Sequence, residues 1–131
     1  MARVLPQPTK VSQPFWDACK VGEFIIQQCN ACSTHLFYPV RMCPECSSLD
    51  IGWVRVSGSG TIYSLSTLVQ ATDGAADGPP TVLALVALAE GPVMMSNIVG
   101  PDAADARIGD QVAVEFAPIS DDISLPMFHR V

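Results

Sequence analysis

The chain is short of charge, and of positive charge above all. Only 15% of its 131 residues are charged, and seven Lys or Arg face thirteen Asp or Glu, for a formal net charge of −6. So few cations leave little to neutralise phosphates, and no basic stripe is visible, so nucleic acid is not expected as a partner. Aromatic residues are also scarce at 7%, and Phe15, Trp16, Phe24, Phe37 and Tyr38 all fall in the first third of the chain. A surface that stacks single-stranded bases needs such rings beside a basic groove. The longest apolar run, Val82 to Ala89, is too short to cross a bilayer, and the opening MARVLPQPTK lacks the apolar stretch of a secretory signal. No membrane partner is expected. No glycine-rich phosphate loop precedes a helix; Gly58-Ser59-Gly60 lies between strands, where a bend or bulge accounts for it.

What the chain has is cysteine in pairs. Cys29-Asn30-Ala31-Cys32 and Cys43-Pro44-Glu45-Cys46 are two short hooks separated by ten residues. That spacing lets two knuckles face each other and close a four-thiolate site, for which zinc is the natural occupant. Four thiolates also accept iron, as in a rubredoxin-like site. Four protein ligands leave no position for water or substrate, so the metal reads as a structural staple. Paired hooks without a signal peptide suit a reducing cytoplasm better than disulfides. The apolar share, 49%, is high for a small chain, and some of the excess is expected to lie against a partner.

Read in order, residues 1–13 form a loose lead-in. Pro14 to Lys20 fits a short helix ending at Gly22. Phe24 to Gln28 leads into the first hook as a strand and Thr34 to Tyr38 leads away from it. Strand and knuckle, repeated, make a zinc ribbon. Beyond Cys46 the pattern is all β: Ile51 to Val56, Thr61 to Val69, Thr81 to Glu90, Pro92 to Val99, Gln111 to Phe116, and Leu125 to Val131. Residues 70–80 form a loop rich in turn formers, the best candidate for internal disorder. Pro101 to Ala106 make one or two helical turns. This order predicts a mostly β chain: an N-terminal helix with a rubredoxin-like zinc ribbon over 14–49, then a five-stranded OB-fold barrel over 50–131.

Several residues have a sharp and a plain reading. Cys19, the fifth cysteine, is a structural thiol rather than a nucleophile, since no histidine adjoins it in sequence. His35 reads as a ribbon surface residue and His129 as packing or solvent-facing. In the run Thr81 to Ala89, Val82, Ala84, Val86 and Leu88 fit the barrel core, yet Leu83, Leu85, Ala87 and Ala89 are apolar too. Something must cover that second face: the ribbon or helix, or another subunit. Phe15, Trp16, Leu83, Leu85, Met94 and Met95 are the expected partner interface. An OB-fold module acting alone, and an enzyme using Cys19 or His129, are the competing classes.

A set of motifs runs through the chain: Pro14-Phe15-Trp16, the two hooks, Ser57-Gly58-x-Gly60-Thr61-x-Tyr63-Ser64, Leu88-x-Glu90-Gly91-Pro92, Ser96-Asn97-Ile98-Val99-Gly100, and Ile108-Gly109 before a Val-x-Val-x-Phe strand. From about Pro14 onward the chain resembles the small zinc-ribbon/OB-fold proteins associated with acyl-CoA enzymes, long catalogued as a domain of unknown function. The resemblance implies a thiolase-like partner in a hetero-oligomer: a thiolase, an acyltransferase, a hydroxymethylglutaryl-CoA synthase assembly or a steroid side-chain aldolase. Other members pair with hydratase-like subunits. It implies a coenzyme A thioester as ligand of the complex, structural Zn2+ on the four cysteines, and no catalytic residue in this chain. Cofactor-contacting residues are not carried over. Ser33 and Ser47 stand where many relatives have glycine after the hook, and Thr81 where an aromatic often follows the proline.

Overall fold

The structure is a computed structural model and describes residues 5–68 and 81–131. The loop expected at 70–80 lies outside the described residues.

The helix α1 (Gln13–Lys20) starts where Pro14 fits the first turn and its missing N–H costs nothing. Thr9 and Ser12 exchange hydrogen bonds just ahead of it: the Thr9 N–H donates to Ser12 Oγ at 2.8 Å and the Ser12 N–H to Thr9 Oγ1 at 3.1 Å. Gly22, in the left-handed region at φ 80°, ends the turn. The helix buries Phe15, Ala18 and Cys19, spaced to share one face.

A three-stranded sheet follows, from β1 (Ile25–Cys29), β2 (His35–Leu36) and β3 (Ile51–Arg55), in the order β2-β1-β3 with antiparallel pairing. The extended run at 51–56, expected at the start of the barrel, therefore belongs to the ribbon's sheet. Its register sets Cys29 opposite Ile51 and Ile25 opposite Arg55. Hydrophobic alternation marks a strand but does not say which sheet it joins.

The remaining strands close a barrel: β4 (Ser59–Leu68), β5 (Thr81–Leu88), β6 (Val93–Val99), β7 (Gln111–Pro118) and β8 (Ser124–Arg130), in the order β4-β5-β6-β8-β7 with β7 returning to β4. A 3-10 turn over Ala103–Asp105 links β6 to β7. This is the OB-fold order of three strands, a short helical piece and two strands. Its seam is the parallel pair β6–β8, which joins only Ile98 to Phe128 and Val99 to His129. The bulge lies at Tyr63, between Ile62 and Ser64, and leaves that ring exposed. Gly58, at φ 79°, is the bend between β3 and β4.

One core spans helix, ribbon and barrel. Phe24 sits at its hub, its ring 6.4 Å from Phe15, 6.1 Å from Phe116 and 6.4 Å from Phe128 in edge-on arrangements. The helix packs on β1, β7 and β8, so it does not cover the outer face of β5. Among the described residues, no helix is long and apolar enough to cross a membrane.

Candidate metal centre and apolar groove

The two hooks are built alike. In the first, the Cys29 N–H donates to the Thr34 carbonyl at 2.9 Å and the Ser33 N–H to the Cys29 carbonyl at 2.8 Å. In the second, the Cys43 N–H donates to the Ser48 carbonyl at 2.9 Å and the Ser47 N–H to the Cys43 carbonyl at 2.9 Å. Each hook turns its two sulfurs inward, and the four Sγ atoms lie within 4.8 Å of one another. Cys29 and Cys46 approach to 3.5 Å and Cys32 and Cys43 to 3.6 Å, both across the hooks. A zinc ion with Zn–S bonds of about 2.3 Å has tetrahedral edges of about 3.8 Å, so the donor set and its size fit.

Charge explains why this cluster wants a cation. The Thr34 hydroxyl, 3.2 Å from the Cys32 sulfur, and the Thr34 backbone favour a thiolate there and bring Cys32 down to about 6. The Ser48 backbone also favours a thiolate at Cys46, yet the neighbouring sulfurs and desolvation hold Cys46 up at about 12. Four thiolates this close need a metal to be charged together. With all four positions filled by sulfur, Cys29, Cys32, Cys43 and Cys46 would hold the ion as a cross-link and leave it no open coordination site.

Gln27 carries the cross-link toward the barrel. It is buried on β1, its Nε2 donating to the Val40 carbonyl at 2.9 Å and its Oε1 accepting from the Val40 N–H at 2.7 Å. The amide acts as a one-residue strand and fixes the segment between the hooks. That segment sets Phe37 5.4 Å from Phe15 and lets Tyr38 reach β6, where its hydroxyl accepts the Met95 N–H at 3.1 Å.

These contacts wall an apolar groove of about 430 Å3 beside the open part of the seam. Pro6 and Ser12 of the lead-in, Phe15 and Trp16 of α1, and Phe37 to Pro39 of the ribbon line one side. Met94 to Asn97 of β6 and Leu125 to Met127 of β8 line the other. Where the seam strands no longer pair, Ser96 Oγ donates to the Pro126 carbonyl at 2.7 Å. Met95 also borders a shallow dip on the outer sheet face with Leu83, Leu85, Ser64 and Ser66.

The six residues expected at a partner interface divide accordingly. Met95 is 58% exposed, and Trp16, Leu83 and Leu85 are half-buried. Phe15 and Met94 are 3% and 2% exposed and belong to the chain's own core, a correction to their expected role. Their spacing explains it: Phe15 shares a helix face with Cys19, and Met94 pairs with Val86 on the inward side of the barrel. Cys19 is 1% exposed, and burial pushes its thiol up to about 12, which makes it inert at neutral pH. His129 Nδ1 sits 3.0 Å from Glu115 Oε1, close but not aligned for a hydrogen bond. Sequence reading missed Gln27, Tyr38 and Glu90. Glu90 accepts the Ser57 N–H at 3.0 Å and ties the β5–β6 hairpin to the bend after β3. Its place in Leu88-x-Glu90-Gly91-Pro92 was the available signal.

Comparison with known proteins follows the same two parts. Residues 16–52 match the protein-family model of the ChsH2 rubredoxin-like zinc ribbon domain, and residues 53–117 that of the ChsH2 C-terminal OB-fold domain. A DUF35 domain-containing scaffold protein of Methanothermobacter thermautotrophicus is 35% identical over 97 residues, covering 72% of each chain. The chain belongs to the DUF35 family. A probable enoyl-CoA hydratase alpha subunit of Thermomonospora curvata is 34% identical to this DUF35 protein over 115 residues, 87% of its length. That span is 36% of the Thermomonospora protein, so the DUF35 chain covers about a third of it. Among solved structures, the Ltp2-ChsH2(DUF35) aldolase contains a chain with a TM-score of 0.84 and 30% identity, matched over 96% of this chain and 98% of that one. A DUF35 protein of unknown function from Sulfolobus solfataricus shares the fold, with a TM-score of 0.67 at 13% identity over 93% of this chain and 86% of that one.

Proposed function

We propose that this DUF35 protein is the non-catalytic, zinc-stapled subunit of an acyl-CoA enzyme whose larger, thiolase-like subunit makes or breaks a carbon–carbon bond. The observation that carries this reading is the near end-to-end match to one chain of the Ltp2-ChsH2(DUF35) aldolase. The chemistry of the chain agrees. Cys29, Cys32, Cys43 and Cys46 form a saturated metal site, which holds shape and offers no coordination to a substrate. Cys19 is 1% exposed, and burial raises its thiol, which suits a structural role and supports placing the nucleophile in the partner. Exposed Met95 and half-buried Leu83, Leu85 and Trp16 provide an uncharged surface that a second subunit would cover, and methionine adapts to such contacts.

The Thermomonospora relative supports a second reading, a hydratase-like partner acting on the same class of thioester. Copurification of the tagged chain with a thiolase-like or a hydratase-like subunit encoded in the same genome separates the two. A stable hetero-oligomer with the thiolase-like subunit, and acyl-CoA turnover that requires both chains, is the expected result. A hydratase complex alone would replace the first reading by the second. Turnover by the isolated chain would overturn both.

A further inference from the structure

We infer that the groove between ribbon and barrel receives the uncharged, apolar acyl end of a thioester and not its nucleotide end. This rests on the acyl-CoA reading above and names which part of that ligand the DUF35 chain holds. Among the described residues, the groove's lining contains no Lys, Arg, His, Asp or Glu. A pyrophosphate brought against such a wall would lose its hydration and meet no cation among the described residues in return. Hydrocarbon suffers no such loss. The volume of about 430 Å3 falls in the range of small-molecule sites and exceeds what one or two methylenes need.

The wall is made of soft, adaptable groups. Trp16 and Phe37 present ring surface and exposed Met95 a thioether that accommodates irregular shapes, while buried Met94 and Met127 back the wall. Neutral polar side chains also lie on the lining, Gln7, Thr9, Ser12, Ser96 and Asn97 together with Tyr38. Tyr38 takes part in the latch to β6 as an acceptor of the Met95 N–H, so its own hydroxyl hydrogen is left to donate. An apolar body bearing a carbonyl oxygen satisfies both features, whereas a saturated hydrocarbon satisfies only one.

The test uses the full chain carrying Trp53→Phe, so that fluorescence reports Trp16 alone. Four probes are titrated: S-decanoyl-N-acetylcysteamine, decanoyl-CoA, free CoA and sodium decanoate. The first two should shift Trp16 emission with dissociation constants within about threefold of each other, and free CoA should leave it unchanged. Decanoate should bind at least about tenfold more weakly, because its charge meets no cation. Met95→Lys, at an exposed side chain, should weaken the neutral thioester by about tenfold or more, and Tyr38→Phe should weaken it less. Free CoA binding as well as decanoyl-CoA would overturn the inference. So would failure of the neutral thioester to perturb Trp16 both in the chain alone and in its complex. Association with the partner, followed separately by size-exclusion chromatography, tells these failures apart: loss of the complex counts against the proposed function, and an intact complex with a silent Trp16 counts against the groove.

Discussion

Ser33 and Ser47 occupy equivalent places, one after the last cysteine of each hook, with φ of 65° and 64°. Each donates its N–H to the carbonyl of its hook's first cysteine. A side chain in this left-handed region costs roughly 1 kcal/mol or more, which glycine avoids. Glycine gives part of that back through its freer unfolded state. Ser33→Gly and Ser47→Gly should therefore each stabilise the metal-bound protein, by about 0.5 kcal/mol, read as a higher urea midpoint at unchanged slope. Ser33→Val should lower the midpoint.

Gln27 is a sharper case, since both ends of its amide are in use. Gln27→Ala leaves the Val40 N–H and carbonyl without partners in a part-buried setting and should cost about 1–3 kcal/mol. Gln27→Glu replaces the donor with an acceptor facing the Val40 carbonyl and should cost no less. Thermal denaturation of the two variants beside wild type checks both.

Metal removal should act on the ribbon first. The segment from Phe37 to Val40 hangs between the hooks and is held by Gln27 and by the Tyr38 latch. Chelation, or Cys43→Ser, should speed hydrogen exchange at the Val40 and Met95 amides. Amides of the β4–β5 pairing should stay protected. Uniform loss of protection across the barrel would show that the ion holds the whole chain. Metal analysis should find one zinc per chain. Tyr38→Phe with metal bound should speed exchange at Met95 alone and cost about 1 kcal/mol.

Asp110 gives a pH signature. Its carboxylate accepts the Arg107 N–H at 2.9 Å and the Arg130 Nε–H at 3.0 Å. The Arg107 backbone bond above all, with Arg130 assisting, holds it below its ordinary 3.8. A group depressed on folding stabilises the fold above its unfolded value, and that contribution fades as pH falls through the folded one. Asp110→Asn should thus be less stable than wild type at neutral pH, and the gap should narrow below pH 3.8. Paired urea midpoints along a pH series test this; a gap that widens on acidification would contradict it.

Much of this was legible because short-range signals carried it. The hooks announce their site by spacing alone, and the order of strands, turn and strands announces the barrel. The rest depends on contacts between residues far apart in sequence. Nothing local shows that Ile51 to Arg55 would pair with β1, or that Tyr38 would reach Met95 across 57 positions. Phe15 and Met94 were expected outside because apolar residues look alike whether they face a core or a partner. The groove has no sequence signature, since helix, ribbon, β6 and β8 each contribute only a fragment of it.

The glycine at position 60 has a further consequence. A Cβ there would come within 2.6 Å of Val86 Cγ1 and 3.0 Å of the Ala87 carbonyl. In most half-buried strands a slip by one residue is forbidden because it turns polar groups inward. Strand β5 is apolar on both sides, so greasiness cannot choose its alignment. Bulk chooses instead: β5 fits where the missing methyl makes room for valine. Randomising residues 82–89 under selection for hydrophobicity alone would therefore yield many compact chains with misaligned partners, and keeping valine at position 86, diagonal to Gly60, should restore the proper pairing.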